Sequence, residues 1–289
     1  MDLRLLSRCF YPLGLAAGLL LLTGCDGAPT TTQVCETHPE LCEGLNTGDG
    51  QCRFERSDLI FDRLAVYQNP SDLNKLSELK QTKLYLRCME LVAEIEPTTL
   101  KERKTTRTEA VYHAYDSITR LESELEASYQ PPVIYYRWSQ GDNSALPQFL
   151  KLEGTRHLET PQLQLGLATY YVSRDKPKTV RILLHTLELY DGHDNTVMKN
   201  VIPEAIKSLA TTNHALKRFE HAYLWAKVGQ SYNLPIASGD RLSRLYTLTE
   251  QQEKSLQTLA FKISAAIDDG DFQASMLAPL STQAEPPPT

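Results

Sequence analysis

The sequence predicts an all-α protein: a disulfide-rich loop, a helical N-terminal half, and a C-terminal half whose helices shorten and repeat. Three observations carry this. Apolar residues recur at three- and four-residue spacing over most of the chain after residue 57. Pro70, Pro97 and Pro131-Pro132 fall between such stretches and punctuate them. Helix-start signatures recur at Ser71, at Thr160-Pro161, and at Thr249 with Gln252.

Taken in order, Ser57 caps a short helix through about Tyr67, ended by Asn69-Pro70. Ser71 opens a longer one to about Glu96, stopped by Pro97. Its apolar positions Leu73, Leu76, Leu84, Cys88, Leu91 and Ile95 are expected to face inward. Thr99 with Glu102 resembles a capping box that opens a third helix, striped by Val111, Ala114, Ile118, Leu121 and Leu125. The basic run Lys101 to Arg107 lies on its first turns and reads as a solvated face, with an acidic partner surface as the functional alternative. Tyr129 to Trp138, with Pro131-Pro132 and the aromatics Tyr135, Tyr136 and Trp138, reads as an extended connector, either packed into the junction between the halves or exposed as a ligand lip. From Asp142, helices are expected at 143–153, 161–173, 177–190, 195–211, 214–230, 236–246 and 250–268. Residues 271–289, with Pro286-Pro287-Pro288 and little apolar content, are expected to be a disordered tail.

At the N-terminus, Arg4 and Arg8 precede an apolar run, Leu13 to Leu22. That run is well short of the roughly 20 residues needed to span a bilayer, so residues 1–24 read as a secretory signal. Leu22-Thr23-Gly24-Cys25 resembles the bacterial lipobox. The resemblance implies cleavage before Cys25, a diacylglycerol on its thiol and acylation of the new amino terminus. Removing 24 of the 289 residues leaves 265 and shifts the net charge from −6 to −7, since Arg4, Arg8 and Asp2 depart. Residues 25–34 read as a polar tether. Asp26 resembles an inner-membrane retention signal, which implies the periplasmic face of the inner membrane over the outer. The acidic balance, 36 Asp and Glu against 30 Lys and Arg, argues against nucleic acid and against an electrostatic grip on anionic lipid. Membrane attachment therefore rests on the N-terminal lipid.

Of six cysteines, Cys9 leaves with the signal and Cys25 is consumed by lipid. Cys35, Cys42, Cys52 and Cys88 remain in a chain bound for an oxidising compartment and suggest two disulfides, with three connectivities open. Cys35–Cys42 closing the local loop, with Cys52–Cys88 stapling it to a helix, is preferred. A zinc site is the rival for the set and a free buried thiol for Cys88, although the gaps between the first three suit no common zinc knuckle. Residues 35–140 thus form a cysteine-stapled helical region and 141–270 a region of repeats.

Leu165-Gly166-Leu167-Ala168-Thr169-Tyr170-Tyr171 followed by Thr179-Val180-Arg181-Ile182-Leu183-Leu184 is similar to one tetratricopeptide or Sel1-like repeat. Ala222-Tyr223-Leu224-Trp225-Ala226 resembles a second helix of that class, and Leu248-Thr249-Glu250-Gln251 a closing segment. Ile182 and Leu224 stand 42 residues apart, a period suited to helical pairs. The resemblance implies antiparallel helix pairs stacked as an α-solenoid over 160–268. From the lipobox through Thr30-Thr31-Thr32 and the Cys35–Cys52 loop, the chain also resembles an uncharacterised proteobacterial lipoprotein family, a domain of unknown function. That implies export and lipidation and carries no activity with it.

No His-Glu-x-x-His, Gly-x-Ser-x-Gly or glycine-rich phosphate loop occurs in the sequence. Ser173-Arg174-Asp175-Lys176 matches Ser-x-x-Lys only at a helix end. Asp191-Gly192-His193-Asp194-Asn195 suits a capped turn better than a metal loop. His214 and His221 lack carboxylates at ligand spacing, and Asn46 to Gly50 suits turn chemistry. No catalytic residue, metal or cofactor is therefore expected. Solenoids bind through a concave face, and Tyr170, Tyr171, Tyr190, Tyr223, Trp225, Tyr232 and Tyr246 are candidates either to line it or to fill the core. The functional expectation is a non-enzymatic, lipid-anchored scaffold facing the periplasm and binding another envelope protein; the alternative is a protein that binds or modifies peptidoglycan.

Overall fold

A computed structural model describes residues 28–96, 102–237 and 239–281. The signal, the lipobox-like residues Leu22, Thr23, Gly24 and Cys25, the sorting residue Asp26, and Thr99 of the third capping box lie outside them. All regular structure among the described residues is helical.

Helix α1 (Thr31–Thr37) arises where the tether was expected. Thr30 and Gln33 form a capping box, the Thr30 hydroxyl accepting from Gln33 N–H and the Gln33 side chain accepting from Thr30 N–H. Val34 is thereby turned into the core, only 2% exposed. Cys35 is bonded to Cys42 and Cys52 to Cys88, with Cα separations of 5.6 and 5.9 Å, so the preferred connectivity is the one present.

Helix α2 (Arg53–Gln68) starts ahead of Ser57, directly after Cys52, which holds a left-handed φ of 51°. Ser71 caps α3 (Asp72–Ala93) by accepting from Asn74 N–H at 3.2 Å. With α4 (Glu102–Leu125), these helices form an antiparallel set. Gln81 donates to the Glu55 carbonyl and Ser77 to Asp62 between α2 and α3, while Lys75 and Lys83 pair with Glu124 and Glu122 between α3 and α4. At one end Leu59, Ile60, Tyr85, Met89, Ala110 and Ala114 pack together; at the other, Leu76, Leu79, Leu121 and Leu125 do.

Helix α5 (Pro131–Ser139) corrects the extended connector. Pro131 and Pro132 occupy first-turn positions, where a missing N–H costs nothing. Its Val133 belongs to the core of α3 and α4 and its Ile134 to the C-terminal core, so this helix joins the halves. The Trp138 ring stacks on Phe149 at 5.5 Å, and Tyr135 lies against the same ring.

Beyond a short α6 (Leu146–Leu150), the C-terminal half comprises α7 (Pro161–Tyr171), α8 (Lys176–Glu188), α9 (Asn195–Asn200), α10 (Ile202–Ala215), α11 (Phe219–Ser231), α12 (Gly239–Tyr246) and α13 (Glu250–Asp268). Thr160 caps α7 and Thr249 with Gln252 forms the box of α13, both as expected. In succession α7 packs on α8, α8 on α10, α10 on α11, and α11 on α13. The helix expected over 195–211 is two, broken at Val201 because Pro203 sits in the first turn of α10. The next starts at Phe219 because the turn that ends α10 takes Lys217 to a φ of 60°.

Residues 271–281 correct the expectation of a disordered tail over 271–289, of which 282–289 lie outside the described residues. They form a 3-10 turn (Ala274–Leu277) and a short helix α14 (Ala278–Ser281). Phe272 meets the Trp225 ring edge-on at 6.0 Å, Leu277 and Leu280 are buried, and Ala274 N–H donates to Glu188 at 2.7 Å. Few apolar residues suffice because each drops into a preformed helical surface. Gly270 starts this strap: it ends α13 at φ +75°, with Asp271 N–H bonded to the Ala266 carbonyl. A Cβ there would stand 2.3 Å from the Asp191 carbonyl carbon. Gly270→Ala is expected to cost about 2–4 kcal/mol, combining left-handed strain with a backbone clash. Denaturant unfolding measures this; a loss below about 1 kcal/mol would contradict the close approach.

Candidate interaction surface

The second helix of the N-terminal set is apolar on two sides. Leu76, Leu79, Tyr85, Leu86, Met89 and Val92 are buried, whereas Leu73, Leu84 and Leu91 remain 46%, 48% and 67% exposed. Ile95, in the turn past its end, is 53% exposed. The inward orientation expected for these four is thus reversed, and Cys88 is only partly buried. Their intervals of eleven, seven and four residues are three, two and one turns, so they form one line on the outside of α3.

What turns this side outward is a set of polar anchors on the other. The Tyr85 hydroxyl accepts from Asn46 N–H at 2.8 Å, and Cys88 is bonded to Cys52. Arg107, from the basic run, is only 5% exposed, so it is no solvated residue. Its guanidinium donates to the Val92 and Ile95 carbonyls at 3.4 and 3.2 Å, closing the C-terminal end of α3, and to Asp49 at 2.9 Å. Burial opposes ionisation of Asp49, but bonds from Gln51 N–H, Arg107 and Asn46 outweigh it and hold the carboxyl below its ordinary range.

Lys80, Arg87 and Glu94 follow at seven-residue spacing along one edge of the exposed line, and Glu90 beside them accepts from the Tyr115 hydroxyl. Tyr112, 67% exposed, borders a cleft of about 430 Å3 with Glu96, Lys104 and Glu109. The sequence carried a signal for this surface in the double apolar pattern of α3, which a single inward stripe does not need.

A second cleft, about 460 Å3, is lined by Arg63, Glu78, His113 and Arg120. Glu78 is buried 3.2 Å from Arg120 and 3.9 Å from Arg63, which also donates to the Leu41 and Glu43 carbonyls. Burial pushes its carboxyl upward against the pull of the two arginines. These contacts tie the Cys35–Cys42 loop to the helices.

The aromatic candidates do not share a groove. Tyr190, Tyr223, Trp225 and Tyr246 belong to the core. The remaining three are part-exposed: Arg174 lies over Tyr170, Lys178 over Tyr171, and the Tyr232 hydroxyl donates to Asp268 at 2.7 Å, burial and that carboxylate pushing its pKa far up. Asp175 caps α8, so the Ser173 to Lys176 stretch is a helix boundary. Asp194 caps α9 and Asp191 accepts from His193 N–H, both turn chemistry. His214 lies beside Phe219 and Tyr246; His221 is half-buried, its pKa lowered by burial and by Arg218. Asn46 donates to Asp49 within its turn. Among the described residues no group of three or more His, Cys, Asp and Glu is placed to hold a metal, and no helix is long and apolar enough to cross a membrane.

A family model described as Protein of unknown function (DUF2989) matches residues 22–227, and the chain belongs to that family. The match runs from the lipobox-like leucine into α11. No curated protein and no solved structure matches the chain.

Proposed function

We propose that this family member is a lipid-anchored envelope protein that works as a non-enzymatic docking scaffold, engaging protein through the outward side of α3. The observation that carries the reading is the set Leu73, Leu84, Leu91 and Ile95, left exposed on α3 while Tyr85 and Arg107 fix the opposite side against the core. Exposed apolar side chains grouped on one side of a helix, as Leu84, Leu91 and Ile95 are here, mark interaction sites. Supporting the compartment are the Leu22-Thr23-Gly24-Cys25 sequence and two disulfides that use all four remaining cysteines, a pattern suited to an oxidising space. Asp26 favours the periplasmic face of the inner membrane. The wall-binding alternative used Tyr135 to Trp138 as an exposed lip, and Tyr135 and Trp138 instead pack against Phe149.

Two experiments test this. Radiolabelled palmitate is expected to enter the wild-type chain and not a Cys25→Ala variant; equal labelling, or none, refutes the anchor. Capture of protein by the tagged chain, from detergent-solubilised membranes that also carry the untagged chain, is expected to fall at least tenfold in a Leu84→Glu/Leu91→Glu variant, the loss of about 1.4 kcal/mol or more of binding. Undiminished recovery refutes the docking side.

A further inference from the structure

We infer that the occupant of the outward side of α3 is a second copy of this chain, packed antiparallel through α3 itself; this rests on the docking reading above. The pattern of α3 is complementary to itself when reversed. Placing Leu84 of one copy on Leu91 of the other repeats the same contact twice about a two-fold axis, as an isologous interface requires. In that register Lys80, four residues before Leu84, meets Glu94 of the second copy, three residues after its Leu91, and the reverse pair forms at the other end. Arg87 lies at the axis beside Arg87 of the second copy, and Glu90, one turn further along each helix, supplies the acid that balances this pair. All four charged residues are exposed, although the Lys80 ammonium lies over the Tyr136 ring at 5.5 Å and swings from it to meet Glu94, and Glu90 also holds the Tyr115 hydroxyl. On this side of α3 the bases Lys80 and Arg87 precede the acids Glu90 and Glu94, an order that an antiparallel copy answers with opposite charge at its ends.

Leu91 and Ile95 are more exposed than Leu73, and Tyr112 and Tyr115 stand exposed on α4 beside that end. Aromatic and aliphatic side chains grouped in this way are what interface cores are made of. An anionic membrane would be a poorer occupant: Lys80 and Arg87 are balanced by Glu90 and Glu94, whereas lipid headgroups select an excess of Lys and Arg.

The test uses the mature lipidated protein in nonionic detergent, kept below one chain per micelle, and reads mass by sedimentation. Wild type is expected at dimer mass. Leu84→Glu/Leu91→Glu is expected at half that mass with unchanged helical circular dichroism and melting. Lys80→Glu is expected to weaken the dimer, and Lys80→Glu/Glu94→Lys to restore it, because the swap rebuilds the reciprocal pair. A monomeric wild type overturns the inference, as does a dimer indifferent to the Leu84 and Leu91 changes or unrescued by the swap. A monomeric wild type that still captures other envelope proteins through Leu84 and Leu91 overturns the pairing alone and leaves the docking reading standing. If neither occurs, both fail.

Discussion

Replacing Cys52 and Cys88 together by serine is expected to lower stability by about 3–4 kcal/mol, the chain-entropy value for a loop of this size. The bond joins residues 36 apart, fastening the end of the cysteine-rich loop to α3. Cys35–Cys42, only 7 apart, closes a much smaller loop and should contribute about 2 kcal/mol. Urea unfolding under non-reducing conditions compares the two variants. The reverse ranking would show that the loop acts mainly as a local brace. Because Cys88 also helps fix the rotation of α3, the Cys52→Ser/Cys88→Ser protein should lose capture of its partner along with stability.

Arg107→Ala is expected to cost about 3–5 kcal/mol, because it strands the buried Asp49 carboxylate and uncaps α3. Arg107→Met with Asp49→Leu should recover much of that loss, since no charge is left buried without a partner. The pair also sets an acid sensitivity. Asp49 has a folded pKa below its unfolded value of about 3.9, so its stabilisation is complete above that pH and disappears as pH falls through the lower, folded value. The wild-type advantage over the double variant should therefore shrink in acid; an advantage that grows in acid would contradict the ion pair.

Much of the architecture was legible where short-range chemistry decides it. Ser71, Thr160 and Thr249 sit at helix starts because a side-chain oxygen must satisfy N–H groups within three residues, which needs no knowledge of the fold. The pairing of Cys52 with Cys88 was one of three open connectivities, preferred because Cys35 and Cys42 close the local loop, and it is the one present. What long-range packing decides was not legible. Periodicity reveals that α3 has an apolar stripe without saying which of two stripes faces inward; Asn46, Asp49 and Arg107, distant in sequence, make that choice. Phe272, Leu277 and Leu280 looked too sparse to order a tail, and only the surface around Trp225 gives them somewhere to bind. Pro131-Pro132 read as a break when it was a helix start. The aromatics Tyr223 and Trp225 fit a groove and a core equally well in sequence, and α11 is buried on too many sides to leave them a groove.

The most direct measurement places a photo-reactive amino acid at Leu91 in cells, with the same group at Phe261, a still more exposed apolar position on α13, as control. Irradiation is expected to give a discrete protein adduct from position 91 and none from position 261. No adduct from position 91, or equal yields from both positions, would mean that the exposed side of α3 docks nothing.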